Sequence, residues 1–218
     1  MSSKKHNAHI RYKTAEGKRV PGVTTITSEL GWNTRTLINW ANRMGLKGID
    51  TNKFVDDKSK IGTLAHAMVT DQLQGKKTDT DDYSKNQIAD AENSALSFFE
   101  WAKTKKIEPI LIEQPLVSEN YLYGGMPDIY ARVYGALELI DLKTGSGIYP
   151  EMVIQVAGGY KFLLIENYHK VDSVRILNIP RTGNEAFVEK KISKQHQDTA
   201  WEIFKHCLKI YKLKKELK

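Results

Sequence analysis

Only one cysteine, Cys207, occurs in 218 residues, so the chain can form no internal disulfide and no four-cysteine zinc or iron–sulfur site of its own. An iron–sulfur cluster and thiol redox chemistry are therefore not expected. Nowhere do about 18 apolar residues follow one another, and the opening "MSSKKHNAHIRYK" lacks the apolar core of a secretory signal. A cytoplasmic protein without a membrane partner is expected. Proline/serine-rich linkers, internal repeats and low-complexity tracts are also missing, which predicts one domain over 1–218. Residues 1–7 read as a flexible tail and 193–218 as a basic C-terminal helix.

What is present is an ordinary globular composition, 40% hydrophobic and 27% charged, with a formal net charge of +7. Lysines crowd the last segment, "FKHCLKIYKLKKELK". Such a charge suits a polyanionic partner, and it equally suits a solvated lysine-rich helix face.

Residues 9–26 alternate and turn at "AEGK", which predicts an N-terminal β-hairpin whose second arm is "VPGVTTIT". "NTRTLINWANRMGLKG" reads as a helix closed by Gly45 or Gly48, with Leu37, Trp40, Ala41 and Met44 on one face. In "DDKSKIGTLAHAMVTDQLQG", Ile61, Leu64, Ala65, Met68 and Val69 form the apolar stripe of a second helix, and 81–105 supplies a third. Three extended segments, 107–119, 121–133 and 136–143, fit a β-meander. A helix over 150–167, two strands in "DSVRILNIP" and "EAFVEKKI", and a terminal helix from Ser193 follow. This order predicts an α/β or α+β sandwich, a central sheet flanked by helices.

The chemistry-bearing stretch is "GGMPDIYARVYGALELIDLKTG". With Tyr134-Gly135 as a two-residue turn, Asp128 falls opposite Asp141, where like charges repel. Side chains alternate along a strand, so Lys143 shares their face. Lysine offsets part of the repulsion, and a divalent cation bridging both carboxylates offsets it more fully, using the hard oxygen ligands magnesium prefers. A metal site is the reading. The competing one is a register displaced by one residue, which leaves a surface ion pair.

"GGMPDIYA" resembles the Gly-x-x-Asp strand, "LELIDLKTG" the Asp-x-Lys-Thr-Gly strand, and "IGTLAHAMV" the Gly-x-x-x-His helix of the PD-(D/E)XK nuclease superfamily, in its RecB-like and phage-type exonuclease branch. "VPGVTTIT" is similar to the hydrophobic segment near the N-terminus of phage members. The likeness spans about Arg19 to Asn167. It implies a restriction-endonuclease-like core with a mixed sheet, and metal-dependent hydrolysis of phosphodiester bonds. The implied ligands are Asp128 and Asp141, completed by His66 and the Leu142 backbone carbonyl, with Lys143 beside the attacking water.

On helical position alone, His66 reads as a structural histidine at the flank of its stripe; the resemblance makes it a ligand. Glu113 resembles an acidic position near the metal and could equally be a surface strand residue. Gln155 matches a family glutamine that is usually followed four residues later by tyrosine, whereas here Tyr160 comes five later. Five residues turn an α-helix by about 140°, so the two share a face only if Gly158 and Gly159 distort the helix. Tyr160 otherwise lies on the apolar stripe. Those two glycines predict close packing against the sheet or a ligand backbone.

The implied cofactor is magnesium (Mg2+), with manganese (Mn2+) able to substitute. The implied partner is DNA, single- or double-stranded, with a homo-oligomer or a recombination or replication protein as further company. The implied function is that of a DNA exonuclease in phage or bacterial recombination, repair or degradation. The alternatives are a structure- or site-specific endonuclease on the same fold and a catalytically silent DNA-binding scaffold.

Overall fold

Residues 10–217 are described in the computed structural model. The first helix of the described residues is the short α1 (Val23–Thr27), followed by α2 (Thr34–Leu46), α3 (Thr51–Leu73) and α4 (Lys85–Ala102). Strands β1 (Ile107–Ile112), β2 (Leu116–Ser118), β3 (Tyr123–Gly125), β4 (Ile129–Val133) and β5 (Ala136–Lys143) come next. An interrupted helix made of α5 (Pro150–Val153), a π-helical turn (Ile154–Tyr160) and α6 (Lys161–Glu166) leads to β6 (Ser173–Asn178) and β7 (Val188–Lys191). Helix α7 (Lys194–Glu216) closes the order, opened by Ser193, whose hydroxyl accepts from the His196 amide.

The main sheet runs β1-β4-β5-β6-β7 and is mixed: only the β5–β6 pair is parallel. The interrupted helix provides the crossover that this parallel pair requires. Each face carries its own core. On one, Ile61, Leu64, Ala91 and Phe98 of α3 and α4 meet Ile129, Ile140 and Leu142. On the other, Val156, Leu163 and Leu164 of the crossover and Ala200 and Phe204 of α7 meet Tyr130, Leu139 and Ile176. The molecule is thus an α/β layered fold with helices on both sides of a five-stranded sheet. Among the described residues no helix is long and apolar enough to cross a membrane.

The β4–β5 hairpin has the expected register, Ile129 opposite Ile140 and Val133 opposite Ala136. Tyr134 (φ 49°) and Gly135 (φ 89°) both lie at positive φ, as a two-residue hairpin turn of the I′ kind demands. The edge strands differ in character. β1 contains Pro109 and slips register between Pro109 and Leu111, while every residue of the four-residue β7 is exposed.

Several expectations need correction. The N-terminal hairpin is reduced to a single Lys13–Arg19 bridge, and its second arm, VTTIT, is the helix α1. Val23 and Ile26, three residues apart, are both buried; placing them together in the core favours a helical turn over the extended form that β-branched residues prefer. His9 and the expected tail at 1–7 lie outside the described residues. The meander is broken into short strands, with β2 and β3 in a separate two-stranded sheet, because Pro115 and Pro127 interrupt it and lack an N–H for any ladder. On α2, Trp40, Ala41 and Met44 are half-buried but Leu37 is exposed. Gly158 and Gly159 pack against helices, not the sheet: a Cβ at Gly158 would stand 2.6 Å from the Ala200 carbonyl oxygen, and one at Gly159 2.5 Å from Val23.

Candidate metal centre and active site

Three elements converge at one end of the sheet: the start of β4, the end of β5 and the middle of α3. Asp141 and Lys143 are two residues apart on β5 and emerge on the same face, so the Lys143 ammonium lies 2.5 Å from Asp141 Oδ2. Asp128 immediately precedes β4. Its Oδ2 accepts a 2.8 Å hydrogen bond from the Leu142 amide, next door to Asp141. The opposed acids inferred from the hairpin are therefore brought together, with Asp128 turned towards the β5 backbone.

His66 reaches the same point from α3, its Nδ1 3.6 Å from Asp128 Oδ2. What lets α3 come so close is Gly62, one turn earlier: a Cβ there would stand 2.7 Å from Thr144 Oγ1, at the residue following Lys143. The Gly-x-x-x-His spacing thus has a steric meaning, a close approach followed one turn later by a side chain aimed at the sheet's end.

The charges are strongly perturbed. Burial pushes the Asp141 carboxyl up, and the nearby Asp128 adds to this; Lys143 offsets only part, leaving it at about 6. Burial also opposes ionisation of Asp128, but the charge and hydrogen bond of His66, the Lys143 charge and the Leu142 amide outweigh it and hold this acid below the usual carboxylate range. For His66 and Lys143, burial favours the neutral form, and the neighbouring carboxylates overcome it, so both hold their protons above the ordinary range.

Asp141 is 1% exposed, and apart from the Lys143 ammonium its carboxylate oxygens meet no hydrogen-bond donor among the described residues. A buried carboxylate in that condition is costly unless a cation meets it. Lys143 supplies one contact, and a divalent ion fits the remaining coordination capacity. Among the described residues, no three His, Cys, Asp or Glu side chains are gathered into a ready ligand group. His66 here partners Asp128, and Asp141 partners Lys143.

The other sequence candidates fall nearby in different ways. Glu113 lies one residue past β1 with φ 45°, and its amide donates to the Asp128 carbonyl, so its backbone is tied to the segment that carries Asp128. Gln155 Nε2 donates to the Tyr160 hydroxyl at 2.8 Å, across five residues. The π-helical turn makes this possible, because its i→i+5 pattern brings positions five apart onto one face. Tyr160 is also a core residue, and burial, with the Asp141 and Asp128 charges behind it, raises its phenol far above the usual value.

Sequence reasoning missed Tyr12. Its ring occupies the space that a side chain at Gly124 would need, within 2.3 Å of a Cβ there, and its phenol is close enough to influence that of Tyr160. The paired glycines of "GGMPD" were the local signal of a close approach. Nothing local could say which distant residue fills the space.

Comparison of the chain with protein-family models and with curated proteins finds no match.

Proposed function

We propose that this chain is a metal-dependent deoxyribonuclease built on a restriction-endonuclease-like core, hydrolysing phosphodiester bonds as an exonuclease. The reading rests on one observation above all: a buried Asp141 whose oxygens meet no donor but Lys143, at 2.5 Å, and Asp128 held beside both by the Leu142 amide. Its family assignment rests on the motifs.

Asp128 and Asp141 would hold the ion, joined by the Leu142 carbonyl and, once the ring has given up the extra proton it holds beside Asp128, by His66. Bound magnesium supplies a hydroxide nucleophile near neutral pH and neutralises charge on the phosphate. Lys143 keeps its proton beside the reacting phosphate and stabilises the negative charge that develops there. Asp128, kept ionised by His66 and the Leu142 amide, is a fixed anionic ligand. Gln155 fixes the Tyr160 hydroxyl at the wall of the site. The basic surfaces track the DNA backbone without reading bases.

Incubated with magnesium or manganese, linear DNA, double- or single-stranded, should be cut and covalently closed circular DNA spared, and EDTA should abolish cutting. Lys143→Ala should bind DNA with near wild-type affinity in EDTA yet cleave it about 10²–10³ times more slowly, by analogy with a lost oxyanion donor. Undiminished cleavage in chelator, or a wild-type rate in Lys143→Ala, overturns the mechanism. Circular DNA cut as readily as linear points to an endonuclease, and binding with no cleavage under either metal to a scaffold.

A further inference from the structure

Helix α2 buries none of its 13 residues. Trp40, Ala41 and Met44 are half-buried, on the side that faces α3, where the Trp40 and Phe54 rings lie 6.0 Å apart. The other side is a continuous exposed face on which Arg35, Ile38, Asn39, Asn42, Arg43 and Leu46 recur at three- and four-residue spacing. Ile38 is 63% and Leu46 81% exposed. No acid occurs between Glu29 and Asp50, and those two are engaged, Glu29 with Lys214 and Asp50 as the cap of α3. The face is therefore cationic and apolar at once.

Its position ties it to the candidate active site. The Asn33 side chain, at the start of α2, donates to Glu151 on α5, the helix that follows the strand carrying Lys143. Between them lies Thr144, which Gly62 of α3 approaches closely one turn before His66. Two exposed rings adjoin this junction: Trp32, beside Asn33, is 54% exposed, and Tyr149, which caps α5, is 43% exposed. Thus α2 starts beside the segment that leaves Lys143.

What covers such a face must offer negative charge and apolar surface together. An anionic bilayer does, but helices that lie on bilayers separate a charged side from an apolar one. Here Arg35 and Arg43 alternate with Ile38 and Leu46 on one side, with the Asn39 and Asn42 amides between them. Duplex DNA offers phosphates but keeps its base faces stacked inside. Single-stranded DNA offers both, phosphates to the cations and base faces to the rings and apolar side chains. We infer that the outer face of α2, with Trp32 and Tyr149 at its start, is a platform for single-stranded DNA beside the candidate active site. Arg35 and Arg43 hold phosphates, and Trp32 stacks on a base. The choice of DNA over other anionic chains rests on the nuclease reading; the cationic and apolar character of the face does not.

The test uses the full chain in EDTA, where DNA is bound and not consumed, and follows the anisotropy of a labelled oligothymidylate of about 20 nucleotides, longer than a single site of about 4–16. Wild type should bind it. Trp32→Ala should weaken binding about fivefold or more, the loss of one stacked base. Arg35→Gln combined with Arg43→Gln should weaken it about tenfold or more at low salt and reduce the slope of log affinity against log salt by about 1.4, for two phosphates. Lys103→Gln, at the hairpin-turn end of the sheet, should bind as wild type does. Thermal melting is the folding control; if Trp32→Ala does not fold, the double arginine variant makes the same comparison. No binding by wild type, wild-type affinity in a folded Trp32→Ala or in the double arginine variant, or an equal loss in Lys103→Gln overturns the inference. So does a loss as large for a duplex of the same length, and so does binding to phosphatidylglycerol vesicles that these substitutions abolish while oligothymidylate affinity stays. A wild type that binds through this face yet cuts nothing with magnesium or manganese overturns the nuclease reading and leaves the platform. One that cuts while the platform variants bind as wild type does the reverse.

Discussion

His66 separates two ways in which one imidazole can serve this site. As a ligand, its loss in His66→Ala should lower activity in limiting metal and be partly compensated by raising manganese, with the melting temperature little changed. As a partner of Asp128 only, its loss should lower the melting temperature and respond to no metal; activity titrated against manganese, beside thermal melts, distinguishes them. Tyrosines give a different residue-level prediction. Burial raises Tyr123 far above its ordinary value, and Tyr160 likewise. Above pH 10 the unfolded chain releases phenolic protons that the folded chain keeps, so the folded state binds more protons and stability falls as pH rises. At one unit above 10 each such group contributes about 1.4 kcal/mol of loss. Tyr123→Phe should flatten this alkaline slope in urea melts at pH 8 and pH 11, at a neutral-pH cost of about 1 kcal/mol for the missing hydrogen bond to the Gly159 carbonyl.

The π-helical turn shows where an element departs from sequence periodicity and why. Its glycines let α7 approach to backbone contact, so Gly158→Ala should force the two helices apart. We expect a loss of about 2–4 kcal/mol in chemical denaturation, above the roughly 1 kcal/mol gained from alanine's better helix propensity. Most elements were legible because their signal is local: the α3 stripe, the Tyr134-Gly135 turn, the Ser193 cap. The hairpin register carried Asp128, Asp141 and Lys143 with it, so the juxtaposition of these three side chains was legible in their spacing. The exceptions were decided by distant partners. VTTIT is helical because Val23 and Ile26 must reach the core, and Gln155 meets Tyr160 because packing on α7 and α1 selects a wider helix than the α-form.

For the whole molecule, a net charge of +7 predicts affinity for unrelated DNA sequences that falls steeply with salt. Log affinity against log salt should slope about −0.7 per single-strand phosphate neutralised, measured in EDTA so that no substrate is consumed. A flat response would remove backbone tracking. Whole-molecule behaviour also depends on the two borders of the sheet. On one, Pro109 withholds an N–H and the adjacent slip in register breaks the regular row of donors and acceptors; on the other, β7 is short and carries Glu189, Lys190 and Lys191 in the open. Neither border offers a straight, uncharged template to a neighbouring strand. Joining the main sheets of two copies into a continuous ribbon is thereby disfavoured at both sides, so copies of this chain that assemble, on DNA or free of it, would do so through other surfaces.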